Sequence, residues 1–451
     1  MSLRVPLFIV AALLLASVTL LFPSSPTYDP WAWIVWGREV AHLDLSTVDG
    51  PSWKPLPVFF TTPFALFGDA APALWLVIAR AGAICAVGTA FVLGRRLGGV
   101  IAGAGAAGGL LLAPGLVRNA GLGNSEGLMA AAVLAAVDRH VAGRHRQAFA
   151  FGIAASLLRP EAWPFLGLYA LWLLHRDGRG VLGLVLGGIG CQPVLWFLPE
   201  LWGSGDILRA SDRAQQPLAH SPAFSSHPAI RVLEDAAHLV TIPAWIGVGL
   251  LVVLLASGVV TRERARPVAA LAILALAWVA EVAVMTERGY SGNQRYLVVP
   301  GVLMIVVAAT GFGWAADALA ESDRHRRAAF AVVAAVAFAV PSVGRLGGLL
   351  DELRYDGRLP HRLAEVVDAA GGRRRLLACG RPYTGPFEVP AVAWQLRVHT
   401  TQVGLDPVAP AVVFRVRTRA GSAPTPSLAG LLGRRRTLAR APGWQLVGAC
   451  R

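Results

Sequence analysis

The chain is 451 residues long, with 55% hydrophobic and 15% charged residues and a mean hydropathy of +0.56. This composition excludes an ordinary soluble domain and indicates a membrane protein with several spans. The formal net charge is +14, but no nucleic-acid-binding motif accompanies it, so we expect no nucleic-acid partner.

Eleven apolar runs are long enough, or nearly long enough, to cross or enter a bilayer. An 18-residue helix is about 27 Å long, which suffices to cross the hydrocarbon core. Two runs are short, and we expect them to form a tilted or partly buried pair. The first run lacks a signal-peptide cleavage site and is expected to remain as a helix. The runs are 5–22, 71–94, 98–116, 122–138, 147–158, 162–175, 180–199, 241–260, 267–286, 295–316 and 328–344.

The arginines between these runs indicate the orientation of the chain. Arginine-rich connections alternate with the others along the sequence, and the positive-inside rule places them in the cytoplasm. We therefore expect a multi-pass protein of the plasma (inner) membrane with a cytoplasmic N-terminus. The segments expected on the outer face are 23–70, 117–121, 159–161, 200–240, 287–294 and everything after 344.

The last segment predicts a small extracytoplasmic α/β domain over 345–451, after a transmembrane unit over 1–344. Its 17 arginines against 7 acidic residues give a net charge of +10. This charge favours anionic lipid head groups or an acidic polymer as partners, although a coding bias on a solvated surface explains it equally well. The predicted elements are helices over 360–372, 388–396 and 428–435 and strands over 374–379, 411–417 and 444–450.

The four cysteines divide between the two predicted units. Cys85 and Cys191 fall within apolar runs and are expected to be core residues. Cys379 and Cys450 end predicted strands in the outer domain, where an oxidising compartment permits a disulfide. Such a bridge would close a loop of about 70 residues and contribute about 4 kcal/mol.

Polar side chains gather at the outer ends of the predicted helices. Asp29 follows the first apolar run, and Lys54, the only lysine beside 40 arginines, lies 25 residues later on a Trp- and Pro-rich loop. Loop polarity and helix capping explain any one such residue. Charges at membrane depth are costly, however, so a group of them on one face indicates a site. The other members are Glu126, Arg159, Glu161, Arg288 and Arg295.

These residue types suit transfer from a lipid phosphate. Arg and Lys would stabilise the charge that develops on a phosphate as its bond to a sugar carbon breaks. A nearby carboxylate could take the proton of the attacking hydroxyl. No Gly-rich phosphate loop follows a strand, and the Gly-rich run 98–109 is interpreted as a helix-packing face. The donor is therefore expected to be membrane-borne.

The order of these features resembles the GT-C glycosyltransferases, above all the protein O-mannosyltransferases and the lipid A aminoarabinose transferases. The similarity is strongest over 27–68 and extends through most of 1–316. Relatives often have Asp-Glu where this chain has Asp29-Pro30, and Lys-Pro-Pro where it has Lys-Pro-Leu-Pro, which leaves the sugar open. The motifs that carry the resemblance are Asp29, Lys54-Pro55-Leu56-Pro57, Leu66-Phe67-Gly68, Arg159-Pro160-Glu161 and Arg295-Tyr296-Leu297.

The resemblance implies an all-α polytopic membrane enzyme of about 11 helices that inverts configuration. It would move a hexose or pentose from a polyprenyl-phosphate donor to a glycan, lipid or protein of the cell envelope. Asp29 would be the base, and Lys54, with Arg159, Arg288 and Arg295, would bind the lipid phosphate. Glu126, Glu161, Tyr28 and Trp33 would bind the sugar or orient these groups. Trp31, Trp33 and Trp53 are expected chiefly at the membrane interface.

Two other functional classes stay open. A transporter or flippase would call for internal repeats and charges near the midplane; no repeat is evident, and only Arg80 and Glu281 stand out within the runs. A non-catalytic anchor that presents the basic domain to a partner would leave the clustered polar turns unexplained. No metal site is predicted because His220 and His227 lack ligand-like spacing, and the need for a divalent cation is left open.

Overall fold

The computed structural model describes residues 4–217, 221–320, 324–419, 421–428 and 435–450. Seventeen α-helices dominate these residues, together with one small sheet. The first nine helices are α1 Arg4–Val18, α2 Tyr28–Ala41, α3 Pro55–Phe64, α4 Ala71–Leu111, α5 Pro114–Gly121, α6 Glu126–Val141, α7 His145–Ser156, α8 Trp163–Asp177 and α9 Leu182–Ser204. The others are α10 Arg209–Ala214, α11 Pro228–Leu239, α12 Ile242–Ala256, α13 Arg262–Glu287, α14 Val298–Ala320, α15 Arg324–Ala369, α16 Gly372–Cys379 and α17 Val389–Leu396.

Each predicted apolar run overlaps one of these helices. Within the described residues, four continuous helical segments are long and apolar enough to cross a membrane. Helices α11 and α12 meet at 89° and form a fifth such segment if they are counted as one bent span. The polytopic helical class is therefore confirmed, and the figure of about 11 membrane helices stays a prediction.

Helix α4 contains a reversal of the chain direction. Gly98 and Gly99 leave helical geometry, and Gly99 has a φ of +79°. A Cβ placed on Gly94 would lie 2.8 Å from the carbonyl oxygen of Ala102, and one on Gly103 would lie 2.8 Å from that of Phe91. Residues eight to twelve apart would be about 12–18 Å apart in a continuous helix. The two halves therefore pack against each other, as the separate predicted runs 71–94 and 98–116 require.

Helix α15 differs from the prediction of a separate helix over 360–372. It runs without interruption from Arg324 to Ala369, so the apolar run 328–344 and the start of the predicted domain share one helix. The sequence pattern could not show this because the contacts that hold the helix are distant. Leu349 and Leu353 pack with Leu122 beside α6, whereas Leu363 and Val366 enter the core of the C-terminal sheet.

The C-terminal sheet has four strands in the order β1-β2-β4-β3. Strand β1 is parallel to β2, and the β2–β4 and β4–β3 pairs are antiparallel. The predicted helix over 388–396 and the predicted strands over 411–417 and 444–450 are confirmed, whereas β3 was not anticipated. Most of the predicted helix 428–435 lies outside the described residues. The strands are β1 Arg381–Tyr383, β2 Ala411–Val416, β3 Arg436–Ala441 and β4 Trp444–Ala449.

The predicted strand over 374–379 is wrong, because these residues form helix α16. Arg, Leu and Ala are strong helix formers, and Leu376 anchors the helix in the domain core. Cys379 therefore ends a helix rather than a strand. It is disulfide-bonded to Cys450, just after β4, with the two Cα atoms 4.5 Å apart. Cys85 and Cys191 are free thiols.

Gly37 permits the close contact of α2 with α3, the two helices that adjoin the candidate site. A Cβ at this position would lie 2.4 Å from Thr61 Oγ1 and 2.5 Å from the Thr61 carbonyl carbon. We predict that Gly37→Ala lowers the free energy of unfolding by about 1–3 kcal/mol, because backbone as well as side chain must move. Gly249→Ala on α12 is the control, since a Cβ there meets no atom within 4 Å. Equal thermal unfolding midpoints for the two purified variants would contradict this packing.

Candidate active site

The N-terminus of α2 is tied to the turn that precedes α6. The Thr27 amide donates to the carbonyl of Leu122 at 3.0 Å, and the Thr27 hydroxyl donates to Asn124 Oδ1 at 3.1 Å. Asn124 in turn donates to Asn119 Oδ1 at 2.9 Å. These bonds bring the first turn of α2, which carries Asp29, close to the first residue of α6, Glu126.

Asp29 forms an ion pair with Arg295. Its Oδ2 accepts from Arg295 Nη1 at 2.6 Å, and only 7% of the residue is exposed. Burial alone would raise the pKa of Asp29, but the positive charges of Arg295, Lys54 and Arg159 outweigh it. The pKa therefore lies below its usual range, and Asp29 is ionised at neutral pH. The sequence predicts that Asp29 and Lys54, at the two ends of one loop, belong to one site. The structure adds Arg295, which lies just before α14.

The loop that carries Lys54 is held by buried polar contacts. Arg209 donates to the carbonyls of Gly50 at 2.9 Å and Pro51 at 2.7 Å. Glu200 accepts from the amide of Trp53 at 3.3 Å. Lys54 then directly precedes α3, in extended geometry. The position of its amine is therefore fixed by its neighbours rather than by its own hydrogen bonds.

The amine of Lys54 is buried and has no hydrogen-bond partner among the described residues. It lies 5.1 Å from the centre of the Trp33 ring, a cation–π contact. Burial lowers the pKa of Lys54 to about 7, aided by the charges of Arg159 and Arg295 and opposed by those of Glu126 and Asp29. A buried donor without an acceptor is costly, and an acceptor that reached this amine would remove that cost.

Arg159 is fixed between two carboxylates. It donates to Glu161 Oε1 at 3.2 Å and forms a second ion pair with Glu126. Its guanidinium lies 4.5 Å from the centre of the Tyr296 ring. One oxygen of each glutamate, Oε2, is buried and has no partner among the described residues. The two glutamates therefore position Arg159 and still have acceptor capacity.

A cavity of about 860 Å³ opens onto this charged group. Tyr28, Asp29 and Arg295 line it, together with Phe387 and Glu388 from the C-terminal segment. The Tyr28 and Phe387 rings meet edge to face, 6.2 Å between centres. Burial raises the pKa of Glu388 to about 7. Lys54 is not among the described residues that line the cavity, although its charge acts on both Asp29 and Arg295.

The structure brings most of the predicted residues together. Asp29, Lys54, Glu126, Arg159 and Arg295 act on one another electrostatically, and Glu161 joins them through Arg159. Arg288 is separate: it is exposed just after α13, and no ion pair involving it is found among the described residues. In the part of the chain that the structure describes, no cluster of three His, Cys, Asp or Glu residues suits a metal ion.

The three tryptophans predicted at the membrane interface are buried within the protein. Trp31, Trp33 and Trp53 are 7%, 0% and 3% exposed and belong to one core. The reason is that α2 packs against α3 and α4, and Trp33 meets Trp75 edge to face at 5.5 Å. Trp33 is held in this core, and its ring contacts the amine of Lys54.

Sequence reasoning did not anticipate the contribution of the C-terminal domain. No local pattern marks Phe387 or Glu388, because their place beside Asp29 depends on how the domain docks. Tyr296 was noted only as part of a motif, and its ring contacts both Arg159 and Arg295. The Arg-Tyr pair at 295–296 was the one signal in the sequence that pointed to it.

Comparison with known proteins identifies the fold. No protein-family model and no curated protein matches the chain. Among solved structures, ArnT from Cupriavidus metallidurans bound to undecaprenyl phosphate aligns with a TM-score of 0.57 and 16% identity, covering 99% of this chain and 98% of that one. The apo state of the same protein aligns with a TM-score of 0.55 and 17% identity, covering 98% and 97%. The chain therefore has the fold of ArnT, a lipid A aminoarabinose transferase of the GT-C type, over nearly its whole length.

Proposed function

We propose that the protein is an inverting membrane glycosyltransferase that takes a sugar from a polyprenyl-phosphate donor. The acceptor would be a component of the cell envelope on the outer face of the inner membrane. The observation that carries the proposal is the pairing of a cavity-lining carboxylate, Asp29, with a buried cationic group that contains one unpartnered amine, Lys54. The orientation follows the arginine distribution, with the N-terminus inside and the C-terminal domain outside.

The cations suit the phosphate of the donor. Among the described residues, neither the amine of Lys54 nor the Nε of Arg295 has a hydrogen-bond partner, and both are buried. A phosphate that enters beside Asp29 can take hydrogen bonds from both groups, which strengthens them in a site of low dielectric. The similarly folded ArnT is known with undecaprenyl phosphate bound, which supports a polyprenyl phosphate as the ligand class.

Asp29 is placed to act as the base. The acceptor hydroxyl attacks the anomeric carbon of the sugar, and its proton passes to Asp29. The bond between that carbon and the phosphate oxygen breaks, and the phosphate leaves with the electron pair, stabilised by Lys54 and Arg295. Attack opposite to the leaving group inverts the configuration.

The ion pair between Arg295 and Asp29 links donor binding to the strength of the base. With Arg295 bound, the carboxylate of Asp29 is a weak proton acceptor. A phosphate competes with Asp29 for the same guanidinium, so donor binding raises the basicity of Asp29 when the acceptor needs it. Arg159 is held by Glu126 and Glu161 and supplies a fixed positive charge behind the pair.

The cavity supplies a route for the acceptor. It lies between the membrane-embedded helices and the C-terminal domain and reaches Asp29 directly. Because Phe387 and Glu388 also line this cavity, the C-terminal domain would take part in acceptor selection.

Replacement of the carboxylate tests the base. We predict that Asp29→Asn lowers turnover on a polyprenyl-phosphate sugar by about 10²–10⁴-fold, the usual contribution of a positioned base. The matched control is Asp49→Asn, an exposed aspartate on the same loop, which should leave turnover unchanged. Wild-type turnover by folded Asp29→Asn protein would refute the assignment. Substrate movement across proteoliposomes without bond transfer would favour the transporter alternative.

The lowered pKa of Lys54 predicts a pH-dependent affinity for the lipid phosphate. Below about pH 7 the amine is charged before the ligand arrives, whereas above pH 7 binding must take up a proton. The dissociation constant of undecaprenyl phosphate should therefore rise by up to about tenfold per pH unit above 7. Lys54→Arg should abolish this dependence, because arginine stays charged. A pH-independent affinity in the wild type would contradict a role for Lys54 in phosphate binding.

A further inference from the structure

A second cavity lies apart from the candidate active site, in the cleft between α6, α7, α8 and α13. Its volume is about 770 Å³, and apolar side chains make up most of its walls. Val133 and Val137 of α6 and Leu271 and Leu274 of α13 line it, together with Gly152 of α7. We refer to this cavity as the groove.

The two ends of the groove differ in charge. At one end lie Arg266, which is exposed, and His140, whose Nδ1 is 3.1 Å from the Tyr169 hydroxyl. At the other end the rings of Phe165 and Trp278 are stacked, 5.2 Å between centres and 5° apart in plane. Arg266 is the only guanidinium among the residues that line the groove.

The stacked rings line the end of the groove that is nearer to the charged cluster of the active site. Phe165 follows Glu161 by four residues, which places the ring pair beside that cluster. Arg159 is 3% exposed, bound to two carboxylates and absent from the walls of the groove. An anionic amphiphile in the groove therefore finds its cationic partner in Arg266.

We propose that the groove binds one anionic glycerophospholipid of the cytoplasmic leaflet, with its phosphate at Arg266 and its acyl chains between the four helices. The arginine-rich connections assign this end to the cytoplasmic face, where basic pockets between membrane helices bind anionic head groups. From Arg266 to Trp278 the groove follows α13 for about 18 Å, a little more than half of the roughly 30 Å hydrocarbon core. That length suits the acyl chains of one leaflet.

Trp172 and Tyr169 complete the site at the level of the head group. Trp172 is within 5.2 Å of the His140 ring, and Tyr169 within 5.1 Å of Trp172, both between ring centres. Aromatic rings with a polar edge favour the region where lipid head groups meet hydrocarbon. These rings would contact the glycerol backbone, and the charge of Arg266 would favour anionic over zwitterionic lipids.

Native mass spectrometry of the full-length, detergent-purified protein tests this site. The lipids to add are dioleoyl phosphatidylglycerol, dioleoyl phosphatidylcholine and undecaprenyl phosphate. We expect Arg266→Gln to weaken phosphatidylglycerol binding by about tenfold, as loss of one charged hydrogen bond implies, with little effect on phosphatidylcholine. Arg262→Gln is the matched control, since Arg262 lies one turn earlier on α13 and outside the groove.

Filling the groove gives a second, independent measurement. Ala270→Trp, or Ala136→Trp from the opposite side, should displace the lipid from protein that still elutes as a single species. If Arg262→Gln and Arg266→Gln weaken phosphatidylglycerol binding equally, diffuse surface charge attracts the lipid and the proposal is overturned. Unchanged binding in both folded tryptophan variants would also overturn it. Loss of undecaprenyl phosphate in Arg266→Gln, to the same degree as phosphatidylglycerol, would assign the groove to the donor instead.

Discussion

The structure depends on how buried charges balance one another at one end of the membrane helices. An isolated charge in a low-dielectric site costs several kcal/mol, so each acid needs a cation nearby. Asp29, Glu126 and Glu161 are matched by Lys54, Arg159 and Arg295, three of each sign. Acidic and basic groups are therefore equal in number, but their hydrogen bonds are not all made: the amine of Lys54 has no acceptor among the described residues. A bound phosphate would supply that acceptor.

The rest of the architecture holds this group in place. Helix α2 carries Asp29 at one end of the segment that follows α1, and α3 begins just after Lys54 at the other end. The close contact at Gly37 and the bonds from Arg209 fix the distance between them. The long helix α15 carries the chain from the membrane region into the C-terminal domain, which covers the cavity above Asp29.

Much of the site could be predicted from the sequence, and the reason is local. Asp29 and Lys54 stand out because a carboxylate at a helix end and a lone lysine on a Trp- and Pro-rich loop are unusual beside hydrocarbon. The sequence could not show whether Arg288 or Arg295 pairs with Asp29. The two arginines are seven residues apart, and the fold of the turn between them decides which one reaches Asp29. The burial of Trp33 and the position of Glu388 were also hidden, because both result from packing between distant segments. Helix α16 shows that local propensity can outweigh an assumed strand pattern.

The most direct measurement is the position of a polyprenyl phosphate in a structure of the complex, determined in a lipid environment. The account predicts phosphate oxygens within hydrogen-bond distance, about 2.7–3.2 Å, of both Lys54 Nζ and the Arg295 guanidinium. It also predicts that the ion pair between Arg295 and Asp29 is broken or lengthened, with Asp29 turned towards the cavity. A phosphate bound elsewhere, while Lys54 stays buried without a partner and Asp29 keeps its bond to Arg295, would contradict it.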